Sequence, residues 1–229
     1  MSTPQEDFQR DPYDFLSNNV VYPNINVLRQ EYLLPDVGGE AFVIRPAPVI
    51  PVTVKKVPNA NSTTGDVFAL VRAGDKAPFP LRAYYLPYMQ NKTCGGVLHK
   101  SAEWMFTAAM DGCTFGAGSV TADGVCLAVH ANAASAGQGG RDEQRRQQDE
   151  QIATTFSTLG SSKTMSIAPS NYMSDGGGGS APAKISATTF GKRSGDKWEF
   201  FVLRFTSKKA GDNQFARDYL HKGIIGATS

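Results

Sequence analysis

Between residues 41 and 88 the apolar positions fall in short runs separated by Gly, Pro and small polar residues, which is the rhythm of strands rather than helices. Residues 41–45, 48–57, 66–72 (DVFALVR) and 80–88 (PLRAYYLPY) read as four extended segments. The polar connection 74–78 between the last two predicts a hairpin-like antiparallel pair. The pattern changes at residues 101–110, SAEWMFTAAM. There Trp104, Ala108 and either Met105 or Ala109 recur at three- and four-residue spacings, with Ser101 placed as an N-cap and no Gly or Pro before Gly112, so a helix is predicted. A strand, CTFGAG, follows at once, then a turn containing Asp123 and Gly124, then a second β-rich run, VCLAVHA, at 125–131. The charged stretch 139–151 (GGRDEQRRQQDEQ) reads as a solvated helix face or a loop, its arginines offset by Asp142, Glu143, Asp149 and Glu150. Beyond a flexible SDGGGGS loop at 174–180, strand-like runs resume at 184–192 and 198–207. Residues 1–40 lack periodicity and are expected to form an N-terminal arm with one short helix near 27–34. Residues 41–229 are expected to form a single α/β domain with a large share of antiparallel sheet.

Composition narrows the class without naming a function. The 229 residues carry 23 Lys and Arg against 21 Asp and Glu, a net charge of +2, which argues against a dedicated nucleic-acid binder. No run approaches the roughly 18 apolar residues of a membrane-spanning helix, so no stable membrane insertion is expected. The acidic start, with Glu6, Asp7, Asp11 and Asp14, is unlike a secretory signal, and synthesis in a cytoplasm is expected. The three cysteines, Cys94, Cys113 and Cys126, cannot all pair within one molecule, and their spacing matches neither a zinc knuckle nor a CxxC pair.

The candidate chemistry lies in residues 107–130, TAAMDGCTFGAGSVTADGVCLAVH. Cys113 follows Gly112 at a tight turn into a strand, where backbone N–H groups converge and a thiol is presented at an element edge. If the two following strands pair as a hairpin, His130 returns beside Cys113 and can move its proton. The structural alternative is that Cys113 is a small core residue, as cysteines usually are. Cys126 alternates with Ala128 and His130 on one strand face and is expected to pack. Cys94 with His99 is a rival pair, and His221 is expected to cap a helix or face solvent.

These residues resemble the protein glutamine deamidases that include cytotoxic necrotizing factor, the Burkholderia lethal factor and the chemoreceptor glutamine deamidase. The turn Met110, Asp111, Gly112, Cys113 is similar to the family's L-S-G-C turn, departing from it at Met110 and Asp111. Thr107 stands six positions before the cysteine and His130 seventeen after it. Tyr85, Leu86 and Pro87 match the toxin's W-L-P strand, and Phe115, Gly116 and Ala117 match its F-A-G; the likeness covers roughly residues 66–132. The resemblance implies a largely antiparallel or mixed β-sandwich flanked by helices. It implies Cys113 as nucleophile, His130 as proton carrier and Thr107 as the residue holding the far imidazole nitrogen, with no cofactor and no metal. It further implies a monomeric bacterial toxin or effector that is exported without a cleavable signal and converts a glutamine of a target-cell protein to glutamate. Target choice would lie in loops 132–140 and 171–180. A cysteine peptidase or transglutaminase, or a non-catalytic binding protein on the same scaffold, would fit much of the same pattern, and Asp111 beside the thiol speaks for the last.

Overall fold

The computed structural model describes residues 2–24, 42–58, 60, 65–77, 80–118, 125–133, 140–173, 184–210 and 214–228; within these, the side chains of 42–46, 184 and 206 onward are not described. Two mixed, mainly antiparallel sheets stack face to face with helices on both outer sides. The larger sheet has the order β1-β4-β3-β5-β7-β11-β12-β13 and the smaller β10-β8-β9-β6-β2. Their strands are β1 (Val20–Pro23), β2 (Phe42–Pro46), β3 (Val49–Lys56), β4 (Val67–Arg72), β5 (Leu81–Leu86), β6 (Thr93–Leu98), β7 (Trp104–Thr107), β8 (Thr114–Gly118), β9 (Cys126–Ala131), β10 (Lys163–Ile167), β11 (Lys184–Ser194), β12 (Lys197–Ala210) and β13 (Gln214–Thr228). The expected strands at 41–57, 66–72, 80–88, 113–118, 125–131 and 184–207 are all present as strands, with ends shifted by a few residues. The glycine-rich loop 174–180 and the expected helix at 27–34 lie outside the described residues.

Three layers of apolar contact follow from the period-2 alternation of these strands. On the outer face of the large sheet, Val54, Phe68, Leu70, Phe106, Phe190 and Phe201 receive Phe8, Phe15 and Leu16 from helices α1 (Pro4–Arg10) and α2 (Pro12–Asn18). Between the sheets, Tyr84, Met105, Trp198, Phe200 and Val202 meet Leu98, Cys113, Phe115, Ala117, Cys126 and Ala128. On the outer face of the small sheet, Leu127, Val129 and Ala131 pack on Ile152 and Phe156 of α3 (Gly140–Thr158). Gly118 makes that last contact possible, because a Cβ there would overlap the Phe156 ring and Ser161. The charged segment 139–151 is therefore largely helical, with Gln148 and Ile152 turned inward.

The structure corrects four expectations. Residues 104–107 form strand β7, not a helix: Trp104 and Phe106 face the α1–α2 side while Met105 faces the opposite sheet. A short apolar run buried on both faces satisfies helical spacing and strand spacing alike, so periodicity could not separate them. Strands β4 and β5 do not pair with each other; β3 lies between them, antiparallel to both. The first residues are no irregular arm, since α1 is closed by a Thr3–Glu6 capping box, α2 by Asp11, and β1 pairs parallel with β4. Of the two alternatives for His221, helix capping falls away, since the residue lies within β13.

Candidate functional site

Strands β8 and β9 form the expected antiparallel hairpin, with Phe115 opposite His130 and Thr114 opposite Ala131. One residue beyond that ladder, Cys113 faces Asn132, whose Nδ2 donates to the thiol at 3.2 Å. On the other side of β9, strand β6 places Cys94 directly opposite His130. Opposed residues share a sheet face. The inner face therefore carries a row of Cys94, His130 and Phe115, and beside it Asn132 and Cys113. His130 and Cys113 are diagonal neighbours, a relation of about 7 to 8 Å between Cα atoms.

The turn that presents Cys113 is pinned from two distant segments. Gly112 adopts φ of +125°, a conformation that side chains with a Cβ rarely take. Its N–H donates to Tyr172 Oη at 3.0 Å, and that hydroxyl in turn donates to the Cys113 carbonyl at 2.7 Å. Tyr172 belongs to the single-turn helix α4 (Pro169–Tyr172). From α3, Gln148 donates through Nε2 to the Gly112 carbonyl at 2.8 Å and accepts from Thr114 Oγ1 at 2.7 Å. The backbone on either side of the thiol is thus fixed by buried and partly buried hydrogen bonds.

Burial dominates the electrostatics. It pushes the Cys113 thiol up to about 11, helped by the Asp111 carboxylate and opposed by hydrogen bonding from Asn132 and from the Asp111 backbone. The Asp111 charge disfavours the thiolate, as a smaller cause than desolvation. Burial also holds the His130 imidazole down to about 4, while the Pro87 carbonyl and the Asp111 charge favour its protonated form. The Pro87 carbonyl faces the ring, yet neither Nδ1 nor Nε2 completes a hydrogen bond. At neutral pH both groups rest uncharged. Tyr88, partly exposed, sets its ring 6.1 Å from the imidazole, and burial, Cys113 and Asp111 all raise its hydroxyl.

The sequence-predicted residues are distributed unevenly over this geometry. Cys113 and His130 share one face and one end of the hairpin, but the thiol's hydrogen-bond partner is Asn132 and not the imidazole. Thr107 does not serve His130: its hydroxyl accepts from the Thr189 N–H at 3.0 Å, tying β7 to β11, and the carbonyl facing the ring is that of Pro87. The Cys94 and His99 pair is not formed. Five residues apart along an extended segment, about 17 Å, Cys94 is buried while His99 is exposed. Cys126 packs as expected, with its thiol on the Gly118 carbonyl at 3.2 Å. Asn132, Gln148 and Tyr172 were missed, and Cys94 was paired with His99 rather than set opposite His130. Asn132 was accessible to reasoning, since it stands two residues after His130 on a period-2 strand; Gln148 and Tyr172 carry no local signal.

Comparison of the chain with protein-family models and with curated proteins finds no match.

Proposed function

We propose that this protein is a cysteine-dependent protein glutamine deamidase of a bacterial toxin or effector type, acting on a protein of a target cell. The observation that carries the reading is the placement of Cys113, His130 and Asn132 together at one end of one sheet face, on a turn clamped by Tyr172 and Gln148. Partly exposed Tyr88 and Gly112, with exposed Asp111, border the side from which a glutamine side chain would reach the thiol. In the reaction, Cys113 gives its proton to His130 as Sγ bonds to the carboxamide carbon. The C–N bond then breaks as His130 returns a proton to the leaving ammonia. Water, deprotonated by the same imidazole, attacks the thioester, and glutamate and the free thiol are released. A resting pair of neutral groups suits this sequence, because the proton moves only when substrate is in place to accept the sulfur.

The test is peptide mass spectrometry of a cell lysate treated with wild-type protein beside Cys113→Ser and His130→Ala. The expected result is a gain of about one dalton at particular glutamines, the difference between a carboxamide and a carboxylic acid, present with wild type and absent with both variants. Peptide cleavage or amine incorporation dependent on Cys113 would assign the chemistry to a peptidase or a transglutaminase instead. A folded wild-type protein that makes no Cys113-dependent change would overturn the enzyme reading.

A further inference from the structure

The thiol's hydrogen-bond partner stands one residue past the end of β9. We propose that Asn132 holds the Cys113 sulfur in the resting site and then donates the same N–H to the oxygen of the tetrahedral intermediate, an assignment that rests on the deamidase reading above. The Asn132 side chain is buried at 5% exposure, and both its ends are spoken for. Its Oδ1 accepts from the Asn91 N–H at 3.0 Å, which fixes the amide so that Nδ2 points at Cys113 Sγ, 3.2 Å away. The Asn132 backbone N–H donates to the Lys92 carbonyl at 3.1 Å. The grip comes from a bend at Asn91, whose φ of 58° lies in the left-handed region. A donor so constrained needs no reorganisation when charge develops beside it.

One amide of the turn, that of Gly112, is already committed to Tyr172 Oη and is not offered to the substrate. When Sγ attacks, the carbonyl electron pair moves onto oxygen, and that oxygen lies two bonds, through the carbon, from the sulfur that Nδ2 faces. Collapse of the intermediate reforms the C=O bond, expels ammonia with the proton carried by His130, and returns the Asn132 N–H to the sulfur of the thioester. Asn132 thus acts on substrate oxygen, whereas Tyr172 and Gln148 only position the turn.

The experiment uses the full chain with Asn132→Leu, which removes both donor and acceptor at similar size, and Asn132→Ser, which is uncharged and too short to bring a donor to the thiol. Two quantities are measured: the rate of glutamine deamidation in the lysate, and the pH dependence of Cys113 alkylation by chloroacetamide, read at the Cys113 peptide. His130, Asp111, Tyr88, Cys94 and Tyr172, the other titratable groups around the thiol, are unchanged in both variants. Deamidation is expected to fall by about 100- to 1,000-fold, the range for loss of one such donor. The thiolate fraction at a given pH is expected to fall about tenfold, as for loss of one hydrogen bond to a charged group. A merely structural Asn132 would leave the alkylation profile in place, and superimposable profiles in folded variants would overturn the assignment. A shifted profile with undiminished deamidation would overturn the oxyanion role. Failure of the deamidase reading looks different, with wild type inert in the lysate while the alkylation shift persists, which supports the sulfur contact alone. Should Asn132→Leu unfold, Asn132→Ser carries both measurements.

Discussion

The two faces of the hairpin end, only a strand's thickness apart, treat buried polar groups in opposite ways. On the outer face, under α3, Thr93 donates to Gln151 at 2.9 Å and Thr114 to Gln148 at 2.7 Å, and Gln148 passes the bond on to Gly112. Hydroxyls and amides there are matched pairwise. On the inner face, His130 lies 2% exposed with both ring nitrogens unbonded, beside a thiol that burial has made hard to ionise. Native proteins rarely leave a buried polar group unpaired without a reason, because each one costs roughly 1 to 3 kcal/mol. The outer arrangement satisfies its polar groups within the fold; the inner one leaves the imidazole unpaired, at a cost in stability.

That contrast can be attacked by mutation. The largest effect is expected from Gln148→Leu, which strands the Gly112 carbonyl and the Thr114 hydroxyl on the outer side. A loss of about 2 to 5 kcal/mol should appear in urea unfolding at neutral pH. Next comes the acid response of His130. Its folded value of about 4 lies below the ordinary 6.5, so the unfolded chain binds the proton first. Stability from this group is complete above pH 6.5 and is lost as pH falls toward 4, by about 3 kcal/mol in all. In His130→Leu that acid limb should flatten, with no loss of stability at pH 7, the reverse of Gln148→Leu; equal destabilisation by the two would erase the distinction between the faces. Thr114→Val should cost only about 1 kcal/mol, since Gln148 keeps its bond to Gly112. At the alkaline end the sign is opposite. Cys113, raised to about 11, contributes stability below pH 9 that is lost as pH rises toward its folded value, and Cys113→Ala should remove that share.

Much of the hairpin was legible because its information is local. Turn residues at 119–124 separate two β-rich runs, and the alternation of Cys126, Ala128 and His130 fixes which way the histidine faces. The same alternation extends to Asn132. Elsewhere the deciding contacts are remote. Residues 104–107 are read correctly only once Phe8 and Phe190 are known to lie on one side and Phe200 on the other. The insertion of β3 between β4 and β5 depends on pairing that no loop length specifies. Thr107 shows the limit from the other direction: its spacing from Cys113 fits the resemblance, yet a strand 82 positions along the chain takes its hydroxyl. The helices α1 and α2 have readable caps at Thr3 and Asp11, but at seven residues each they offer too little periodicity to stand out.

The clamp on Gly112 also orders events in time. During synthesis the hairpin bearing Cys113, His130 and Asn132 emerges before either of the groups that set its turn. Gln148 follows 36 positions after Gly112 and Tyr172 follows 60 after it. Until the Tyr172 ring has left the ribosome and docked, Cys113 sits on a turn free to relax from the positive φ of Gly112, so a nascent or truncated chain carries the thiol without the clamp that fixes it.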